Sequence, residues 1–148
     1  MIQSRDRGSA SVEVAILLPA FIMLMVVATF VGRVTIAQNA VDLAAHDAAR
    51  AASIEREGGL AAAAATAAAN DTLDELDVLC ATRTITPDVA AAFSNDDFGP
   101  QEGPPPVVTV TVDCTLDFTG FPYLDFTTTT VSARYTSPLD WYRGRSLG

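Results

Sequence analysis

Residues 14–31, from Val14 to Val31, read VAILLPAFIMLMVVATFV, eighteen consecutive positions without a charged side chain. An α-helix rises about 1.5 Å per residue, so the run covers roughly 27 Å, close to the hydrocarbon thickness of a bilayer. A buried core helix is the competing reading, but such helices seldom lack a polar face over about five turns. The stretch is therefore expected to cross a membrane. Residues 60–69 are also apolar, yet they are short and built mainly of alanine, which is too weakly hydrophobic to hold a span. One anchor and one folded region are what a chain of 148 residues is expected to contain.

The flanks of the run set an orientation. Arg5 and Arg7 precede it with Asp6 between them, whereas Arg33, Arg50 and Arg56 beyond it are diluted by Asp42, Asp47, Glu55 and Glu57. Short basic flanks stay on the cytoplasmic side, so the N-terminus is expected inside and the C-terminal part outside. Residues 32–148 hold seven arginines, no lysine and sixteen acidic side chains, which accounts for the whole formal net charge of −9. That sign disfavours nucleic acid and anionic lipid surfaces as partners.

Past the span the helical pattern continues. No glycine or proline falls between Arg33 and Glu57, so span and soluble helix read as one rod, about 65 Å long from Val12 to Ile54. Gly58-Gly59 is the first strong stop. Ala40, Ala44, Ala48, Ala51 and Ala52 form a small-residue face that would let another backbone approach, although alanine is also the best helix former. A second helix is expected from about Leu60 to Leu79. Leu73, Leu76 and Leu79 would lie on one side of it, and Asp71, Asp74, Glu75 and Asp77 on the wet face. Residues 94–106 are rich in glycine and proline and read as a loop.

The period then changes from helical to two. In residues 107–118, Val108, Val110, Val112, Cys114, Leu116 and Phe118 share one face, and Thr109, Thr111, Asp113, Thr115 and Asp117 the other, the pattern of a half-buried strand. Gly120, Pro122 and Tyr123 turn the chain, and residues 124–135 form a threonine-rich second strand, so a hairpin is expected. The expected fold class is α+β: a long N-terminal helix, transmembrane in its first part, then a second helix and a small C-terminal antiparallel hairpin or sheet.

Catalytic signatures are missing from the sequence. His46 is the only histidine and sits in an alanine- and aspartate-rich helix, where a surface role fits better than that of a base or ligand. No phosphate loop, G-x-S-x-G elbow, H-E-x-x-H or C-x-x-C occurs, and the acidic clusters lack calcium-loop spacing. No enzyme activity, cofactor or metal is expected. Cys80 and Cys114, both in the portion placed outside, allow either a disulfide or two unpaired buried thiols. An even count in an oxidising compartment favours the bridge, which would staple a helix end to a strand.

Glu13 is the residue that demands a reason. A carboxylate costs about 2.5–3.5 kcal/mol near a membrane centre and less at its edge, so it could simply mark where the span begins. Its context adds more. Residues 7–19 run Arg7-Gly8-Ser9-Ala10-Ser11-Val12-Glu13-Val14-Ala15-Ile16-Leu17-Leu18-Pro19. This resembles the prepilin and pseudopilin families, and most closely the opening of the TadE-like pseudopilins of tight-adherence (Tad/Flp, type IV-like) pilus systems. The resemblance is strong over residues 5–31 and loose afterwards. It departs at Val14, where those families often carry Phe or Tyr.

The resemblance implies that a prepilin peptidase cuts after Gly8, leaving Ser9 as the new N-terminus and Glu13 as the fifth mature residue. A new ammonium on Ser9 would then be a partner for Glu13 of a neighbouring subunit in a low dielectric. Glycine at the cut presents no side chain to a tight protease cleft. The implied organisation is a leader at 1–8, a transmembrane helix at 9–31, its extension at 32–59 and a small extracytoplasmic α+β head at 60–148. Implied partners are the prepilin peptidase, other pilins or pseudopilins, the assembly platform and membrane lipid, in a bacterial cell membrane. The alternative is an uncleaved, signal-anchored envelope protein that binds a partner through its acidic head.

Overall fold

The computed structural model describes residues 7–94, 105–119 and 128–139, with side chains from Glu13 onward. The start of the expected leader, every side chain before Glu13 (that of Ser9 at the expected cut beside Gly8 included), most of the 94–106 loop, the turn at Gly120–Tyr123, residues 124–127 and the tail from Asp140 lie outside the described residues.

Helix α1 spans Arg7–Ile54, 48 residues without a break, and α2 spans Gly58–Glu75. Strands β1 (Cys80–Asp88), β2 (Val107–Asp117) and β3 (Thr128–Pro138) form one antiparallel sheet in the order β1-β2-β3, and a single turn of helix, α3 (Ala90–Phe93), follows β1. The α+β class expected from the sequence is what the chain adopts.

Why α1 divides into two halves is legible in its burial. From Glu13 to Val31 almost every side chain is exposed. From Ala37 onward the buried positions are Ala37, Ala40, Val41, Ala44, Ala45, Ala48, Ala49 and Ala52, a helical stripe at alternating spacings of three and one. On α2 the matching stripe is Gly58, Ala61, Ala65, Ala69 and Leu73. Alanine against alanine lets the two helix backbones lie close, so the small-residue face of α1 meets this chain's own α2 as well as the sheet. Gln38 of α1 donates to the carbonyl of Ser132 on β3 at 3.1 Å, and Thr72 of α2 donates to Asp47 of α1 at 3.3 Å.

The valine face of β2 supplies the rest of the core. Val108, Val110, Val112, Cys114, Leu116 and Phe118 are all buried, as the alternation predicts. The other face is polar: register aligns Thr82, Thr115 and Thr130 in one row, and Thr86, Thr111 and Arg134 in another. Threonine hydroxyls pair across it, Thr109 with Thr136 at 3.0 Å and Thr115 with Thr130 at 3.1 Å.

Three expectations need correction. Gly58-Gly59 does not stop the first helix, which ends at Ile54; the two glycines open α2 after a short link with Glu57 extended at φ −116°. The second helix stops at Glu75 rather than running to Leu79, because Asp77 enters the left-handed region at φ 51°. Its N–H bonds to Asp74 O and the N–H of Val78 to Leu73 O, both 3.1 Å, so the last carbonyls are satisfied by a reversal of the chain. Leu73 is consequently buried while Leu76 and Leu79 are exposed. Finally, β1 was not expected. Its core side carries Arg83, Ile85 and Pro87, an apolar signal too thin to read, and proline is tolerated there because β1 is an edge strand.

Candidate functional site

Glu13 lies within the N-terminal part of α1, exposed, and among the described residues no cation pairs with it. Gly8 lies in the same helix by backbone. Beyond Glu13 the helix is apolar on all sides: Ile16, Leu17, Phe21, Met23 and Leu24 are more than half exposed, and the most apolar 18-residue window has a mean hydropathy of 2.8 with none of it buried. Water would not tolerate so continuous an apolar surface on a folded protein, whereas lipid would. Pro19 lacks the N–H that would bond to the Ala15 carbonyl. Thr29 donates its hydroxyl to the carbonyl of Met25 at 2.7 Å, so it carries no unsatisfied donor.

The span meets the folded region at Phe30, whose ring packs on Phe118 at the end of β2 with centroids 4.7 Å apart. Beside this contact an open cleft of about 270 Å³ is lined by Arg33, Ile36, Leu76, Leu79, Leu116 and Asp117, among others. Asp117 accepts from both the hydroxyl and the N–H of Thr119, the latter at 2.7 Å, and these bonds, hydroxyl first, hold its carboxyl below the ordinary value of 3.8.

Cys80 and Cys114 are joined, with Cα atoms 5.4 Å apart. The bridge starts from the first residue of β1 rather than from a helix end, so it staples strand to strand. Arg83 on the next stretch of β1 reaches back to α2, donating to Asp74 at 2.5 Å and to the carbonyl of Val78 at 3.2 Å. A cation at the C-terminal end of α2 also complements the helix dipole. His46 is partly exposed, 3.1 Å from Asp47 and edge-on to the ring of Tyr135 at 4.6 Å. Among the described residues no group of three His, Cys, Asp or Glu side chains is placed to hold a metal.

The arrangement defines an α+β protein anchored in a membrane by one apolar N-terminal helix that continues directly into its folded region. Residues 8–50 match the family described as TadE-like protein, so the resemblance carried by residues 7–19 holds over the anchor and most of the packed half of α1. No curated protein and no solved structure matches the chain.

Proposed function

We propose that the chain is a pseudopilin or minor pilin of a tight-adherence pilus system, without enzymatic activity. Its anchor places the N-terminus on the cytoplasmic side and the folded region outside, and a prepilin peptidase cuts after Gly8 and leaves the anchor in place. The observation that carries this reading is the coincidence of Gly8, Glu13 and Pro19 at family spacing with a family match that begins at residue 8. An apolar helix exposed on every side suits both lateral storage in a bilayer and transfer into a helical fibre core among other pilus components. A cut after Gly8 leaves the Ser9 ammonium close to the level of Glu13, and Glu13 lies open to a partner subunit.

Intact mass of the protein purified from membranes of its own host tests the proposal. Loss of residues 1–8 supports it, and Gly8→Trp should leave the precursor uncut. A full-length wild-type chain would favour a signal-anchored envelope binding protein, and a chain beginning beyond Val31 would exclude both readings.

A further inference from the structure

The end of the folded region nearest the span carries apolar surface that the fold itself leaves uncovered. After α2 the chain runs Leu76-Asp77-Val78-Leu79 into β1. The left-handed turn at Asp77 directs Val78 inward, where it is buried with Leu73, the contact that normally accompanies this type of helix ending. Leu79, next after Val78, points outward, and Leu76 beside the turn is left exposed as well. Leu79 is 83% exposed and Leu76 44%, and Ile36 on the adjoining face of α1 is 66% exposed. All three line the cleft beside Arg33.

The height of this patch along α1 identifies what covers it. Arg33 and Ile36 follow Val31 by two and five residues, hence by about 3 and 8 Å along the helix axis. The headgroup layer on each face of a bilayer is about 5–8 Å deep. Phe118 is held at the same level by its ring contact with Phe30. The patch is therefore continuous with the lipid-facing surface of the span. Asp77 and Asp117 line the same cleft as Arg33, an excess of one negative charge that disfavours anionic headgroups and leaves zwitterionic ones.

We propose that Leu76 and Leu79 enter the interface of the leaflet beside the span, so that the folded region is seated on the lipid by a second contact. The inference rests on the membrane anchor alone and not on pilus assembly. Its consequence is a fixed tilt of the sheet relative to the membrane, set by two points of attachment.

Full-length chain in phosphatidylcholine vesicles, with Trp141→Phe as background, provides the test. Leu79→Trp places a reporter at an exposed position that the core does not use. Its emission should shift to shorter wavelength and be quenched by lipids brominated near the headgroup end of the acyl chain. Ile54→Trp, 60% exposed and about 35 Å beyond Val31 along the axis, should show neither change. Leu24→Trp, inside the span, should be quenched by lipids brominated near the chain end. Water-like, unquenched emission from Leu79→Trp while Leu24→Trp is quenched would overturn the seat and leave the anchor standing. A shift without lipid quenching would mean that protein, such as a second copy, covers the patch, and would overturn it too. No quenching at Leu24→Trp would remove both seat and anchor.

Discussion

Removing the Cys80–Cys114 bridge should release β1 from the sheet. The bridge closes 34 residues of chain. The loop-entropy relation for that length gives about 12.6 cal/mol/K, or about 3.8 kcal/mol at 25 °C. Besides the bridge, this edge is held by its ladder to β2 and by the bonds of Arg83 to Asp74 and Val78, with little buried apolar packing. Arg83, Ile85 and Pro87, the positions of β1 that face the core, are only half-buried, and the register with β2 slips between Cys80 and Thr82. Replacing both cysteines by alanine removes the constraint and changes the core volume by little more than the sulfur of Cys114. Hydrogen exchange on the full chain in detergent, read by peptide mass, should show β1 amides opening up to about 500-fold more often, the equivalent of that free energy. Amides of β2 that pair with β3 should be much less affected, because that ladder runs from Val107 to Asp117 without a slip. Unchanged protection of β1, or a loss below about 1 kcal/mol, would refute the view that a covalent tie rather than packing secures the strand.

Other outcomes follow from single positions. Asp77→Gly should raise stability by about 0.5–1 kcal/mol in a denaturant titration, and Asp77→Val should lower it by about 1–2 kcal/mol, since only glycine enters φ 51° without strain. Ala48→Leu should cost about 1–3 kcal/mol or prevent folding, because Ala48 is fully buried on the face of α1 that α2 and the sheet cover. Thr119→Ala should raise the Asp117 pKa toward 3.8, measured by carboxyl-carbon NMR. The folded value is depressed, so this contribution to stability is present above the unfolded pKa and is lost as pH falls through the folded one.

Local periodicity made much of this chain readable in advance. Eighteen uncharged residues can be satisfied only by lipid or a very large core, so the span between Val14 and Val31 needed no tertiary information. The alternation of valine and threonine likewise specified β2 and its buried face, because a strand places successive side chains on opposite sides. Gly8, Glu13 and Pro19 were visible as a spaced motif, although the sequence says nothing of what stands next to Glu13 in an assembly. Tertiary structure decided what covers each apolar face and where the polar exceptions go. β1 is placed by its ladder to β2, the tie of Cys80 to Cys114 and the reach of Arg83 to Asp74 at the end of α2, contacts between residues whose local pattern is nearly mute. The alanine face of α1 was evident as a face, but only the fold shows α2 lying on it. Leu76 and Leu79 looked like core until the left-handed turn at Asp77 ended the helix and turned them out toward the level of the membrane, a reversal determined by two backbone hydrogen bonds and invisible to any count of periodicity.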